Sequence, residues 1–338
     1  MKKACIHILL VLTVLFSLPN SSKANYAAGG ELIYIHISDS TYQFFFKLYR
    51  DCSGNAEPDS VQLCFNNPCN NSSFSRYMTK WTGTQQPPIG PICAQMKSNC
   101  DSPGSPVQAY KEIWYVKTVT MPSRCNSWRI FTYSTTRNSI YNLQNALSST
   151  MYVEARMNNS TTHNNSSPYY SVRPPYGAAQ SSPFTYNAGA VDADGDSVWT
   201  DLVMLRTGVS TCTDTPNNMS FNTASPAYNL STNPFGTNNT FGINGGTGQM
   251  GFTPTMAGKA NVVLRTREYR NGIMIGSIMR EMQIMTLNFS GAVPTYTAIR
   301  GCGAPGTGTI NGCMGAPLSF CIDFLSSDTT SRLFLTTS

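Results

Sequence analysis

The chain has 338 residues, of which 41% are hydrophobic and only 12% are charged, and its formal net charge is +6 at pH 7. This length suggests two domains and the start of a third. The basic residues form no cluster, so the composition argues against nucleic acid as a partner.

The first 24 residues are typical of a secretory signal. Lys2 and Lys3 precede an apolar run at positions 6–18 that is too short to span a membrane, and small residues near Ala24 predict cleavage after it. Cleavage removes three of the 23 basic residues and leaves 20 against 17 acidic ones. We therefore expect a secreted or cell-surface protein that meets a membrane only indirectly.

Cysteine usage predicts disulfides. Eleven cysteines occur, and ten remain once Cys5 leaves with the signal. An even number in an exported chain favours disulfides. Zinc is disfavoured, because only His36 and His163 follow the signal and no Cys-x-x-Cys motif occurs. The disulfide candidates are Cys52, Cys64, Cys69, Cys93, Cys100, Cys125, Cys212, Cys302, Cys313 and Cys321.

The cysteines fall into two groups along the chain. Six lie between positions 52 and 125 and four between 212 and 321. Because each count is even, we predict that each group pairs within itself. The favoured bridges are Cys64–Cys69, Cys93–Cys100 and Cys52–Cys125.

The first half of the chain alternates as β-strands do. Thr41–Arg50 places four large side chains, from Tyr42 to Leu48, on one strongly apolar face. The cysteine-, proline- and asparagine-rich stretches 51–75 and 83–108 are predicted to be loops. The other predicted strands are Glu31–Ile37, Glu112–Thr120, Trp128–Ser134 and Met151–Met157.

The second half is again rich in strand signals. Residues 158–182 are rich in Asn, Ser and Pro, and they form either a flexible linker or an ordered crossing between strands. The predicted strands beyond them are Phe184–Ala188, Val198–Leu205, Gly248–Phe252, Ala260–Arg270 and Ile273–Leu287.

A hairpin is predicted between the last two of these strands. Two-residue Asn-Gly loops favour a type I′ turn, because both of its central residues need φ > 0. Asn271-Gly272 stands between two β-patterned runs. Counting outward from the turn pairs Arg270 with Ile273 and Glu268 with Ile275.

The densest group of acidic residues lies in the run VDADGDS, where Asp192, Asp194 and Asp196 alternate. Crowded carboxylates repel unless solvent or a hard cation neutralises them, and Ca²⁺ accepts irregular loops of oxygen ligands. The run is therefore a candidate calcium site, although it lacks the glycine and glutamate positions of an EF-hand loop. Asp201 and Glu268 are further candidate donors. The alternative is a polar turn whose side chains accept hydrogen bonds from neighbouring backbone N–H groups.

The same region carries a resemblance to a known class of domain. The Asp-x-Asp-Gly-Asp run at 192–196 is followed by GGTGQMGFTPT at 245–255, then by Ala257-Gly258 and an amphipathic strand. This order resembles that of cadherin-like and immunoglobulin-like bacterial surface domains. The resemblance implies a β-sandwich.

A second resemblance covers most of the chain. The segments AGGELIY at 28–34, LYRDCSG at 48–54, YVEA at 152–155 and EYRNG at 268–272 are similar to the N-terminal region of large gliding-motility-associated surface proteins of the Bacteroidota. Those proteins carry several immunoglobulin-like repeats and a C-terminal export module. The resemblance implies that this chain is part of a larger exported protein, serving adhesion or scaffolding toward an unidentified protein or glycan.

The expected fold is therefore all-β, with two tandem immunoglobulin- or cadherin-like β-sandwiches. The final residues end on a strand-like run without a closing turn, so we expect the sequence to be truncated there. The predicted organisation is a signal peptide (1–24), a cysteine-rich β-sandwich (25–157), a linker or crossing segment (158–182), a cadherin-like or immunoglobulin-like β-sandwich (183–291) and the start of a further β domain (292–338).

Two other functions remain as alternatives. Trp81, Trp114, Trp128 and Trp199 offer stacking surfaces for a carbohydrate-binding module, although β-sandwich cores also bury such side chains. Paired carboxylates would suit a glycan-active enzyme only at a defined separation. Catalysis by a nucleophilic residue is disfavoured, because the chain has no G-x-S-x-G or H-E-x-x-H motif. We therefore expect no enzymatic activity.

Overall fold

The described part of the chain is all-β, as predicted. Its only helical element is one 3₁₀ turn at Ala146–Ser148. The structure, a computed structural model, describes residues 27–83, 86–90, 97–105, 107–134, 137–160 and 164–288, and the backbone of 295–300 and 321–325. The predictions that lie outside the described residues concern the signal segment 1–24, Cys93, Cys302, Cys313, the side chain of Cys321 and most of 292–338.

The described residues form twenty strands. Those of the first half are β1 (Ala27–Ser38), β2 (Thr41–Asp51), β3 (Ser60–Asn67), β4 (Ser72–Lys80), β5 (Tyr110–Thr120), β6 (Trp128–Ser134) and β7 (Met151–Met157). Those that follow are β8 (Tyr169–Tyr170), β9 (Ala178–Ala179), β10 (Phe184–Asn187), β11 (Ala190–Val191), β12 (Ser197–Val203), β13 (Arg206–Thr207), β14 (Asn217–Asn218), β15 (Gly242–Ile243), β16 (Gln249–Phe252), β17 (Gly258–Arg270), β18 (Ile273–Leu287), β19 (Thr295–Arg300) and β20 (Cys321–Leu325). The strands β6 and β7 have the bounds that the sequence predicted.

Part of the region predicted to be loop is a β-hairpin. Strands β3 and β4 pair antiparallel along their length, and Asn71 adopts a φ of 55° in the turn between them. The prediction of a loop over 51–75 was therefore wrong for this part. Val61, Leu63 and Phe65 do alternate, but the surrounding cysteines, prolines and asparagines obscured that short pattern.

One large sheet joins both halves of the chain. Ten strands follow the order β1-β2-β5-β4-β3-β6-β7-β18-β17-β12, and β9 adds to β18 as the eleventh. Strand β18 pairs with β17 along one edge, and its other edge is shared by β7 at Gly276–Ile278 and by β1 at Arg280 and Glu281. Eight strands therefore close into a ring. The expectation of tandem sandwiches over 25–157 and 183–291 is corrected, because strands of both segments are hydrogen-bonded in this sheet.

Aromatic side chains fill the inside of the ring. The ring centroids of Phe44 in β2 and Phe65 in β3 lie 5.2 Å apart, although two strands separate β2 from β3 in the sheet. Phe65 stacks on Phe74 at 4.5 Å, and Trp128 meets Phe74 edge-on at 6.0 Å. Trp128 is fully buried, so it belongs to the core and not to a sugar-stacking surface. The apolar face predicted for β2 is likewise buried.

The disulfides differ from all three predicted pairings. The bridges are Cys52–Cys100, Cys64–Cys212 and Cys69–Cys125. A bridge requires the two Cα atoms to lie within about 7 Å, and the extended strand β3 carries the chain away from Cys64 before it reaches Cys69. Cys64 instead meets Cys212, so the expectation that each group pairs within itself was also wrong. Cys100 is taken by Cys52 and is not available to Cys93.

The predicted Asn-Gly hairpin is confirmed at its tip. Asn271 and Gly272 have φ values of 52° and 78°, and Arg270 pairs with Ile273. Both turn residues therefore adopt the left-handed backbone that a type I′ turn requires.

We predict that Gly272→Val lowers the free energy of unfolding by about 1–3 kcal/mol, because a β-branched residue resists positive φ. The measurement is urea unfolding. Ile273→Val, at the neighbouring exposed position, is the control and should change stability little. Equal stability of the two variants would contradict the strain argument.

The contact that closes the ring depends on a glycine and two buried ion pairs. A Cβ atom on Gly29 would overlap the backbone carbonyl oxygen of Glu281, so only glycine lets β1 lie this close to β18. Arg280 pairs with Glu31, and Arg137 pairs with Glu281 at 2.7 Å between Nε and Oε1. All four charged side chains are buried.

We predict that Gly29→Ala separates β1 from β18 and destabilises the protein by about 3 kcal/mol, as overpacking of a close backbone contact does. Gly242→Ala is the matched control, because a Cβ there meets nothing within 4 Å. Chemical denaturation of both variants checks the prediction. A Gly29→Ala protein as stable as the control would mean that the two strands can separate without loss.

Candidate functional site

The acidic run lies in the turn between β11 and β12. Asp192 Oδ1 accepts hydrogen bonds from the backbone N–H groups of Asp194 at 2.9 Å and Asp196 at 3.0 Å. Gly195 completes the turn with a φ of 84°. This is the side-chain-to-backbone arrangement that the sequence offered as the alternative to a cation. It occupies only one of the two Asp192 oxygens.

The other two aspartates have separate partners. Asp196 forms a bidentate ion pair with Arg270, at 2.8 Å from Nε to Oδ1 and 2.6 Å from Nη2 to Oδ2. Asp194 is exposed, and its Oδ2 accepts a hydrogen bond from the backbone N–H of Ser166 at 2.6 Å. Asp194 therefore ties the turn to a neighbouring segment.

Glu268 approaches this turn from β17. It lies opposite Gly276 rather than Ile275, because a β-bulge shifts the register between Glu268 and Tyr269. The pairing counted from the turn was therefore wrong at this point. A Cβ on Gly276 would overlap Oε1 of Glu268, so the glycine leaves room for the buried carboxyl group.

Three carboxyl groups come together here. Each of Asp192, Asp196 and Glu268 offers a ligand oxygen within 4.8 Å of the others. Oε1 of Glu268 accepts hydrogen bonds from the Tyr34 hydroxyl at 3.2 Å and the Asn165 amide at 3.0 Å. Oε2 of Glu268 and Oδ2 of Asp192 are buried without any hydrogen-bond partner. The structure thus assembles two of the predicted aspartates with Glu268, and it leaves Asp194 outside the group.

The environment of Glu268 favours its neutral form when no cation is present. Burial raises the pKa of Glu268 to about 8; the hydrogen bonds from Asn165 and Tyr34 oppose the shift, and the Asp192 carboxylate reinforces it. Burial and the nearby Glu268 also raise the pKa of Tyr34. Glu268 therefore keeps a proton near neutral pH in the absence of metal.

Two chemistries satisfy the unpartnered oxygens. A proton on Glu268 can be shared with Asp192, or a hard cation can bind both carboxylates. Ca²⁺ fits better than Mg²⁺, which demands near-ideal octahedral geometry, whereas Ca²⁺ accepts irregular sets of oxygens. A carboxyl group with a raised pKa also resembles a general acid. Glu268 is fully buried, unlike a general acid that faces an open cleft.

The partners of Glu268 carried no signal in the sequence. Asn165 lies 103 residues from Glu268 along the chain, and Tyr34 lies 234 residues away. Glu268 itself was one of two further candidate donors that the sequence offered, together with Asp201. Its approach to Asp192 depends on the pairing of β12 with β17, where Val198 lies opposite Glu268.

The tryptophans do not form one exposed row. Trp81 and Trp199 are exposed, whereas Trp114 is half-buried and Trp128 is in the core. Trp81 packs on Trp114 with ring centroids 5.4 Å apart. Trp199 lies on β12, at the opposite end of the strand order from β1.

Comparison with known proteins gives no relative to reason from. No family model, curated protein or solved structure matches this chain. Among the described residues, no helix is both long and apolar enough to cross a membrane.

We predict that, in chelator, stability falls as pH rises from about 5 to about 8. The folded protein keeps a proton on Glu268 that the unfolded chain has released, so unfolding is favoured by rising pH, with a limiting slope of about 1.4 kcal/mol per pH unit. Glu268→Gln should flatten this slope in urea unfolding. Asp59→Asn, at a fully exposed carboxylate, should not. Parallel pH profiles for the parent protein and Glu268→Gln would contradict the assignment.

Proposed function

We propose that this chain is an exported cell-surface protein serving adhesion or scaffolding, and that Asp192, Asp196 and Glu268 bind Ca²⁺ at one edge of its sheet. The observation that carries the calcium site is the pair of buried, unpartnered oxygens on Asp192 and Glu268. Such atoms are costly unless a proton or a cation satisfies them. The surface role follows from separate observations.

The disulfides support a location outside the cytosol. Disulfides persist in oxidising compartments and are rare where thiols are kept reduced. The three bridges span 48, 148 and 56 residues. Closing loops of this size contributes roughly 4 kcal/mol each in the chain-entropy model. The signal-like sequence of residues 1–24 supports the same location.

The motif resemblance supports the surface role itself. The segments at 28–34, 48–54 and 268–272 are similar to those of gliding-motility-associated surface proteins. This similarity implies an adhesive or scaffolding role. It does not extend to tandem sandwiches, because both halves of the chain share one sheet.

Charge balance supports Ca²⁺ at the acidic cluster. Four carboxyl groups, those of the three turn aspartates and Glu268, lie along one edge, and Arg270 offsets that of Asp196. A divalent cation would offset two more charges and would replace the proton on Glu268. The turn and β17 would supply the protein ligands, and water would complete the shell, as is common for calcium.

Calcium bound there would link distant parts of the chain. Glu268 already contacts Tyr34 in β1 and Asn165 in the crossing segment, and Asp194 holds Ser166. A bridge from Glu268 to the acidic turn would therefore hold β1, β17 and the crossing segment together. We infer that the ion has a stabilising rather than a catalytic role.

We predict that millimolar Ca²⁺ raises the melting temperature of the protein relative to chelator. A ligand specific to the folded state stabilises by RT ln(1 + [L]/Kd), which is about 1.4 kcal/mol at ten times Kd. Asp192→Asn and Glu268→Gln should each abolish the shift. Asp194→Asn, outside the cluster, should keep it, since an amide oxygen still accepts the Ser166 hydrogen bond.

Two results would overturn parts of this proposal. Identical melting curves in calcium and chelator would contradict the calcium site. A proton shared between Glu268 and Asp192 would then be the remaining explanation of the unpartnered oxygens. Export is tested by expression with the native leader, followed by sequencing of the mature N-terminus and thiol titration. A retained leader with free thiols at Cys64 and Cys212 would remove the surface role.

A further inference from the structure

A row of arginines crosses the outer face of the sheet. Arg267 in β17 lies opposite Ser277 in β18, Ser277 opposite Arg156 in β7, and Arg156 opposite Arg129 in β6. Directly opposed residues of paired strands project from the same face. With strands about 4.8 Å apart, this arginine row spans roughly 15 Å.

Two carboxylates on this face, those of Asp201 and Glu154, each pair with two arginines. Asp201 in β12 accepts from Arg265 at 2.8 Å and is also paired with Arg267. Asp201 is therefore not available to the acidic turn, where the sequence had suggested it as a donor. Two guanidinium groups on one carboxylate leave one positive charge uncompensated.

The same arrangement recurs on β7. Glu154 accepts from Arg156 at 3.2 Å and from Arg206 at 3.0 Å. Arg206 also lies over the ring of Tyr152, with its guanidinium carbon 6.0 Å from the centroid. A second positive charge thus remains at the middle of the arginine row.

Arg129 adds a third positive charge. Its guanidinium group lies over Phe131 at 4.9 Å and donates to the backbone carbonyl of Asp214 at 3.1 Å. The Asp214 carboxylate is occupied by the backbone N–H groups of Ser210 and Thr211. No carboxylate in the described part of the chain forms an ion pair with Arg129.

Positive charges outnumber negative charges across this face. Four arginines share two carboxylates across this face, and Arg129 forms no ion pair with either of them. The excess fits an anionic partner that accepts from guanidinium groups.

A tryptophan extends the row at one end. Trp199 in β12 lies directly opposite Arg267, and 49% of the residue is exposed. Its ring lies against Gly245, where a Cβ atom would overlap the indole. The glycine therefore holds the ring as a flat surface beside the charges.

We propose that the arginine row and Trp199 form a binding surface for an anionic polysaccharide, one that bears carboxylate or sulfate groups along the chain. Guanidinium groups bind such anions in pairs of hydrogen bonds, and the flat indole suits the apolar face of a sugar ring. We choose a polysaccharide over another polyanion because of the proposed surface location. Equally tight binding of nucleic acid would contradict that choice.

The test uses two substitutions that each remove one of the two arginines bound to a shared carboxylate. Arg156→Gln with Arg267→Gln leaves Glu154 paired with Arg206 and Asp201 paired with Arg265. The control is Arg76→Gln, an exposed arginine on β4 that projects from the other face of the sheet. Melting curves of both variants should match the parent, which shows that they are folded.

Binding is measured by calorimetry with heparin as the sulfated probe, polygalacturonate as the carboxylated probe and dextran as the neutral one. We expect at least one anionic probe to bind and dextran not to bind. The double variant should lose tenfold or more in affinity and become less sensitive to salt, whereas Arg76→Gln should match the parent. Trp199→Ala should weaken binding and leave the salt dependence unchanged. Preference for heparin or for polygalacturonate then identifies the anionic group.

Three outcomes overturn the proposal: no binding of either anionic probe, equal loss in the Arg76→Gln control, or binding of single-stranded DNA as tight as that of the polysaccharides. The calcium-dependent melting shift and the mature N-terminus are measured independently. A protein that passes both of those tests but binds no anionic polysaccharide would retain its proposed function and lose only this surface.

Discussion

The buried ion pairs that Glu31 of β1 and Glu281 of β18 form, beside the contact between these strands, are the constraint on which the rest of the structure depends. Burial alone would raise the pKa of Glu31, but Arg280 and Lys47 outweigh it and hold that pKa at about 2. Breaking a buried pair costs more than forming it contributes, because the remaining charge stays desolvated. The Arg280–Glu31 and Arg137–Glu281 pairs therefore act chiefly as a specificity device. They let β1 close the ring only in one register.

Closure of the ring brings the proposed calcium site together. Tyr34 belongs to β1, whereas Glu268 belongs to β17, and they meet only because β1 lies against β18. The same closure places the crossing segment beside β1, where Tyr34 donates its backbone N–H to Ser167. The described residues of the segment that composition assigned to a linker or crossing include the short strands β8 and β9. Asn165 of this segment completes the shell around Glu268.

Charge is distributed unevenly over this lightly charged protein. One edge concentrates carboxylates around a buried glutamate, and the outer face concentrates guanidinium groups around two carboxylates. The first arrangement suits a small hard cation, because its free oxygens converge on one point. The second suits an extended anion, because its charges follow a line across four strands.

Local patterns in the sequence determined the all-β class, the bounds of β6 and β7 and the Asn271-Gly272 turn, because alternation and turn chemistry act over a few residues. Only the tertiary structure decided three features: the partner of Cys64, the closure of the ring and the proximity of Glu268 to Asp192. Each of these joins residues far apart in the chain, through a sheet order that no local pattern encodes. A single bulge beside Glu268 also changed the register, which a count along the sequence does not detect.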